Sequence, residues 1–395
     1  MKNYPILTGV IILLFSCQKG DIGHSTMCNY TPSASDLAHP KSAQFQAIID
    51  KYVALGLPGM AILVRDKSGR WIGSGGLADI GKNISFEPCT VSKVASITKM
   101  LNGTLTHLLA EQKVLSLDDL VDDYLDEEIL SEVPNCRGAT IRQLMQHTTG
   151  IFDIITSTGF YLALLNYPDK HWTGEELIKF AYGQKAGFPL GTSCYYSNTN
   201  TLLLSMVLTK ATGQPHQVAL RNQVLTPLNL TNTYYYSHDK LPPITAQGYY
   251  DLYNNQTLVN VTNFNTGSGN GYGGFFSNIF DLQTFIEALL REKTILSAAS
   301  FDELTKFIAE VDEEDPDNDL YLGPGLMKRF FNQDRSSDRY AYGHTGRDLG
   351  YSANCFYYPN QDITCCFVVN YGTNADSALK EVFFAFQDEL TDALF

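Results

Sequence analysis

The sequence is poor in positive charge: 28 lysines and arginines stand against 42 aspartates and glutamates, a formal net charge of −14. A surface of that sign repels phosphate backbones and anionic headgroups, which removes nucleic acid and anionic lipid as general partners. No two of the 8 histidines are spaced as H-x-x-x-H, and no two cysteines as C-x-x-C. Neither spacing of a zinc site is therefore present, and no metal or other cofactor is expected. No repeat of fixed period runs through the chain. Long apolar runs are also missing, apart from Ile6 to Phe15 near the start, which is too short to span a bilayer.

That run sits in "MKNYPILTGVIILLFSC": a lysine, an apolar centre, then a small residue before Cys17. Such an order describes an export signal over residues 1–17. "LFSC" resembles a bacterial lipobox, which implies a lipid on Cys17 and attachment to a membrane. Residues 18–40 show no periodicity and are rich in Gly, Ser, Thr and Pro, as a flexible tether would be. The seven cysteines after Cys17 are scattered and cannot all pair within one chain. They read mostly as small core residues, with the neighbours Cys365 and Cys366 pointing to opposite faces of a strand.

With 44% hydrophobic residues, the 395-residue chain can bury a large core. "AQFQAIIDKYVALG" has a helical period, and "GMAILVRD" and "RWIGSGGLADI" read as strands about a turn. From 91 to 274 the pattern is mainly helical, at 96–113, 140–147, 174–183 and 198–212. After a helix near 280–291, strand patterns return in "AYGHTG", "GYSANCFYYP" and "DITCCFVVNYG", and the chain closes on a helix. The expected fold is α+β: an antiparallel sheet built from both chain ends (41–90 and 275–395), flanked by helices, with a mainly helical domain (91–274) inserted. The acidic stretches "DDLVDDYLDEE" and "DPDND" read as solvated surface; the second lacks the Gly and Glu of a calcium loop.

Chemistry is concentrated in three short elements. In "VASITKML", Ser96 and Lys99 stand one helical turn apart at the head of an apolar helix. Lys99 can take the serine proton only when neutral. That requires its pKa to fall by about three units, roughly 4 kcal/mol, through burial and nearby positive charge. "YYSNTNTLLL" places Tyr196 and Asn198 at the start of a second helix. "YGHTGRDLG" holds the only His-Thr-Gly of the chain, His344, Thr345 and Gly346, on a strand edge. A second Ser-x-x-Lys, Ser237 to Lys240, and a second Tyr-x-Asn, Tyr253 to Asn255, lie in polar turns.

Taken together and in this order, the elements resemble the Ser-x-x-Lys, Tyr-x-Asn and Lys/His-Thr-Gly motifs of the penicillin-recognising serine hydrolases, closest to the class C β-lactamase and D-alanyl-D-alanine carboxypeptidase branch. "IRQLMQHTTGI", "GFPLGTSCYYSN" and "GGFFSNIFDLQTFIEALL" are similar to supporting segments of that branch, and the resemblance runs from about residue 45 to the end. It implies a β-lactamase-like fold with the active site between the two domains. Ser96 becomes the acyl-forming nucleophile, with Lys99 and Tyr196 sharing the proton transfers and either serving as base. Asn198 would hold the substrate's amide side, and His344 and Thr345 would face its carboxylate or leaving group. The backbone amides of Ser96 and Arg347 would form the oxyanion hole.

Three positions bear on substrate. A histidine at 344, where β-lactamases of the branch carry lysine, resembles the carboxypeptidases and some esterases. The Arg347 side chain would bind a carboxylate or obstruct a bulky substrate. Arg329 resembles by position a receiver of the terminal carboxylate, its alternative being a solvated surface arginine. His147 reads as a turn stabiliser. The expected protein is an exported serine hydrolase in the periplasm or on a bacterial membrane, most similar to a D-alanyl-D-alanine carboxypeptidase. An esterase or β-lactamase on the same scaffold, and a slow-turnover binding lipoprotein, are the alternatives. Its partner is a small peptide, β-lactam or ester.

Overall fold

The apolar run "GMAILV" opening β1 (Gly59–Asp66) does not alternate with polar residues because both faces of the strand are buried. Met60, Ile62 and Val64 enter one core, and Ala61 and Leu63 the other. The computed structural model describes residues 22–312, 319–330, 338–373 and 377–395. The expected signal peptide with Cys17, and Asp315 to Asn318 of the second acidic stretch, lie outside the described residues.

β1 continues into β2 (Gly69–Asp79) and short β3 (Ile84–Ser85), and β4 (Ser92–Ala95) then leads away towards the helical part. From the middle of the chain come β5 (Tyr234–Tyr235), β6 (Tyr249–Tyr250), β7 (Val259–Asn260) and β8 (Phe275–Ser277). The C-terminal part supplies β9 (Ile308–Ala309), β10 (Leu320–Gly323), β11 (Leu326–Phe330), β12 (Tyr340–Asp348), β13 (Tyr351–Tyr358) and β14 (Ile363–Val369). They form a nine-stranded antiparallel sheet in the order β3-β2-β1-β14-β13-β12-β11-β10-β9, joined where β1 pairs with β14 from Met60↔Val369 to Arg65↔Thr364. Both chain ends thus build the sheet, as the α+β reading expects. β10 and β11, too short to show a period, are additions to that reading.

One face of the sheet is covered by the helices Ser42–Ala54 and Ala378–Leu394, through Phe45, Ile49, Phe383 and Phe386. The other carries the helix Ile279–Ile286, continued by a wider turn Glu287–Arg291, and beyond it the helical part. Cys365 joins the first core and Cys366 the second, on opposite faces as expected.

The tether reading is corrected for the described residues 22–40, which are seated on the body. Ile22 packs with Val91, Tyr236, Phe276 and Tyr351. Ser25 Oγ donates to Thr245 O at 2.6 Å, and Arg70 pairs with Asp36 at 2.8 Å. Cys28 is bonded to Cys89 in a disulfide that their spacing did not suggest; the other five described are free and buried, as the reading of most cysteines as small core residues expects. The segment is held by a few specific polar contacts and one covalent link, which leave no periodic trace. The bridge closes a sequence separation of 61 residues, and a loop that long constrains the unfolded chain by about 4 kcal/mol. Cys28→Ser is expected to lose stability of that order in denaturant titration, and reductant should destabilise the wild type but not the variant.

Candidate active site

Ser96 is delivered by a strained turn. Its predecessor Ala95 adopts φ +46°, a left-handed conformation that costs a residue with a Cβ about 1–3 kcal/mol. The turn is pinned by Thr98, whose Oγ1 donates to Ala95 O at 2.6 Å and accepts from Phe275 N on β8 at 3.1 Å. The helix begins at Thr98, two residues after the serine, and runs to Glu111. Met100, Leu101, Leu105 and Leu109 bury its apolar face.

Lys99 turns back towards Ser96, and its Nζ lies 3.0 Å from Ser96 Oγ, 2.8 Å from Asn198 Oδ1 and 2.6 Å from Tyr272 O. Burial drives its pKa down to about 7, against the attraction of Asp153 and Asp348. Two of its three partners, an amide oxygen and a backbone carbonyl, can only accept. A neutral amine spends both N–H bonds on them, and its lone pair is left for the Ser96 hydroxyl. In that form Lys99 can accept a proton from Ser96.

Tyr196 completes the cluster. Burial raises its phenol well above the usual range, while a hydrogen bond with Ser96 lowers it, and the Lys99 ammonium position is 4.9 Å from its ring centre. Burial thus favours the phenol form, from which the side chain can pass a proton on. Its backbone N–H donates to Glu310 Oε1 at 2.8 Å. His147 stacks on its ring at 4.6 Å, and His147 Nδ1 accepts from Ser197 N at 3.1 Å. The chain does turn at His147, with φ +56°, but its ring is spent on the Tyr196–Ser197 segment rather than on its own turn.

Asn198 heads the helix Asn198–Thr212. With Oδ1 committed to Lys99, its Nδ2 donates to Asp153 Oδ2 at 3.0 Å. Asp153 was missed in the sequence. The signal is a lone carboxylate in the apolar run "GIFDII", directly after "HTT".

From β12, Thr345 reaches the cleft with the backbone of Arg347. His344 does not line it: 2% exposed, it lies beneath, its ring centre 6.1 Å from that of Tyr196. Burial and the charge of Lys99 hold it neutral, and its Nδ1 approaches Thr345 O at 2.5 Å. The Arg347 side chain, expected to meet a carboxylate or block the cleft, does neither. Its guanidinium donates to Gly346 O, Ala353 O, Asn354 Oδ1 and Gln387 Oε1 at 2.7–2.9 Å and lies over Phe383, against the C-terminal helix. Arg329 lies on β11, opposite Ala341 and Leu320, and is not among the residues lining the cleft.

Gly346 sets how closely β12 approaches the serine turn. A Cβ there would stand 2.1 Å from Val94 O, a backbone atom with nowhere to go. Gly346→Ala should displace the strand from Ser96, and a misplacement of about 1 Å costs about 100-fold in kcat/KM. Steady-state kinetics would show it, with a lowered Tm alongside from the same overlap.

The cleft above Ser96 encloses about 710 Å³. Ile155, Phe160 and Leu164 form an apolar wall; Tyr161, Tyr195, Tyr196, Tyr250 and Tyr272 add phenol rings. Four carboxylates line it, Asp153, Glu310, Asp312 and Asp348, the last paired with buried Lys93 at 2.6 Å. No group of His, Cys, Asp and Glu among the described residues is arranged to hold a metal ion.

A serine, a buried lysine of lowered pKa and a tyrosine, set between a large antiparallel sheet and the helices beside it, define a serine hydrolase scaffold. The chain belongs to the beta-lactamase family, whose model matches residues 45–387. It is 28% identical to a D-stereospecific amidohydrolase from Streptomyces sp., with a TM-score of 0.74 over 88% of this chain and 98% of that one. The D-amino acid amidase from Ochrobactrum anthropi SV3 shares the fold, with a TM-score of 0.77, 22% identity, and 89% and 97% of the two chains covered. The D-alanyl-D-alanine-carboxypeptidase/endopeptidase AmpH of Escherichia coli (strain K12) is 26% identical over 210 residues, 51% of this chain and 52% of AmpH. The chain spans about half the length of the curated relatives it matches.

Proposed function

We propose that the protein is an exported amide hydrolase that works through an acyl-enzyme on Ser96, with Lys99 as base. The observation that carries this is the Lys99 amine, 3.0 Å from Ser96 Oγ, its N–H bonds engaged elsewhere and its pKa near 7. Ser96 Oγ attacks the scissile carbonyl carbon and its proton passes to the Lys99 lone pair. The carbonyl π electrons move onto oxygen, which the backbone N–H groups of Ser96 and Arg347 would receive. As the C–N bond breaks, the proton held by Lys99 reaches the leaving nitrogen through the Tyr196 phenol. Water then hydrolyses the Ser96 ester and restores the hydroxyl.

Amide substrates with a D-configured acyl residue are favoured by kinship with the Streptomyces amidohydrolase. The carboxypeptidase reading draws support from AmpH, but the only cationic residue lining the cleft among those described directs its charge to the far side of the sheet. Export is supported by the Cys28–Cys89 disulfide, a bond suited to oxidising compartments. Anchoring at Cys17 rests on "LFSC" and is tested by the mass of the mature N-terminal peptide. The substrate test compares turnover of a D-amino-acid anilide, a p-nitrophenyl ester, nitrocefin and a D-Ala-D-Ala peptide. Anilide hydrolysis at least matching the peptide supports the amidase reading; a peptide preference by orders of magnitude returns it to carboxypeptidase.

A further inference from the structure

Asp153 is the cleft group whose electrostatics the acyl-transfer chemistry leaves unbalanced. Its carboxylate lines the cleft and accepts from Asn198 Nδ2 at 3.0 Å and Ile155 N at 3.3 Å. It forms no ion pair in the described structure, whereas Asp348 across the cleft has Lys93 at 2.6 Å. A carboxylate withdrawn from water without a cation is costly, and burial accordingly raises the Asp153 pKa. The charge of Lys99 acts on Asp153, but Asn198 stands between the two, no ion pair forms, and Lys99 gives that charge up when it serves as base.

Position makes the missing cation a property of the substrate. Asp153 is joined to Ser96 Oγ by three consecutive hydrogen bonds, through Asn198 and Lys99. It also lines the same cleft as Ser96, which would attack the carbonyl. Two cleft tyrosines, Tyr161 and Tyr272, lie in the field of both Asp153 and Asp348, and phenol faces beside a carboxylate suit an ammonium ion. The apolar wall of Ile155, Phe160 and Leu164 suits the rest of a hydrophobic acyl residue.

We infer that Asp153 is the specificity-determining residue of this site and that the acyl donor carries a free ammonium group within a residue of the scissile carbonyl, received by the Asp153 carboxylate. Substrates of this class are unblocked amino-acid amides and peptides cut close to a free amino terminus. Acyl donors with a blocked amine, including β-lactams and N-acylated peptides, lack the group. This inference rests on the Ser96 acyl-enzyme reading.

The test is the ratio of kcat/KM for D-phenylalanine p-nitroanilide to that for its N-acetyl derivative, a ratio from which general losses of activity cancel. Wild type should favour the free amine by about 10- to 100-fold, the range of a hydrogen bond to a charged group. Asp153→Asn should bring the ratio below about 3-fold and Asp153→Glu should retain part of it. Inhibition by phenethylamine should weaken in Asp153→Asn in parallel. Equal turnover of the two anilides by wild type, or a preference unchanged in Asp153→Asn, overturns the inference. Labelling of Ser96 by an uncharged fluorophosphonate reports on the acyl-enzyme reading separately. Labelling without amine preference removes only the role of Asp153; no labelling removes the nucleophile as well.

Discussion

Ser96→Ala is expected to lower kcat by roughly 10⁴- to 10⁶-fold, the range seen when an acyl-forming serine is deleted, with the fold intact. Alanine fits the turn sterically, and φ at position 95 is unaffected because the strain is held by the Thr98 contacts to Ala95 O and Phe275 N. Lys99 keeps Asn198 Oδ1 and Tyr272 O as partners, so the site stays assembled without its nucleophile. Stopped-flow or discontinuous product assay on the variant, alongside an unchanged melting curve, checks both halves. Residual turnover within tenfold of wild type would place the nucleophile elsewhere.

The second large effect belongs to Lys99. Lys99→Met removes the base while filling a similar volume, and general-base loss costs about 10²- to 10⁴-fold. Methionine also leaves Asn198 Oδ1 and Tyr272 O without their donor, which should weaken stability and loosen Asn198. The wild type shows the same dependence through pH. Below a pKa of about 7 the amine becomes an ammonium with no lone pair, so acylation falls about tenfold for each pH unit on the acid side and levels above it. Asp153 and Asp348 both raise the Lys99 pKa, so Asp153→Asn should move this limb to lower pH. A limb that stays in place would mean that another group titrates there.

Much of this site is legible in the sequence because its groups come from short motifs at the starts of elements. Ser96 precedes an apolar helix, Tyr196 and Asn198 open another, and Thr345 and Gly346 stand on a strand. The antiparallel sheet from both chain ends was legible for the same reason: β1, β13 and β14 are long and apolar. What escaped depends on direction and on distant pairing. Strand alternation places Arg347 on the side opposite Gly346, towards the C-terminal helix, but without the sheet order nothing says which side holds the serine. The spacing of Cys28 and Cys89 carries no pattern. Residues 22–40 dock through single contacts such as Asp36 with Arg70. Asp153 belongs to none of the motifs; its significance appears only when Asn198 Nδ2 is found on it.

The most direct test of the central claim is the mass of the intact protein and of its Ser96 peptide after exposure to a fluorophosphonate, followed over pH. One phosphonyl group should appear on Ser96, at a rate rising to a plateau with a midpoint near 7, and Ser96→Ala should remain unmodified. A label on another residue, no label, or a rate independent of pH between 5 and 9 (about two units either side of that midpoint) would contradict a Ser96 nucleophile activated by a neutral Lys99.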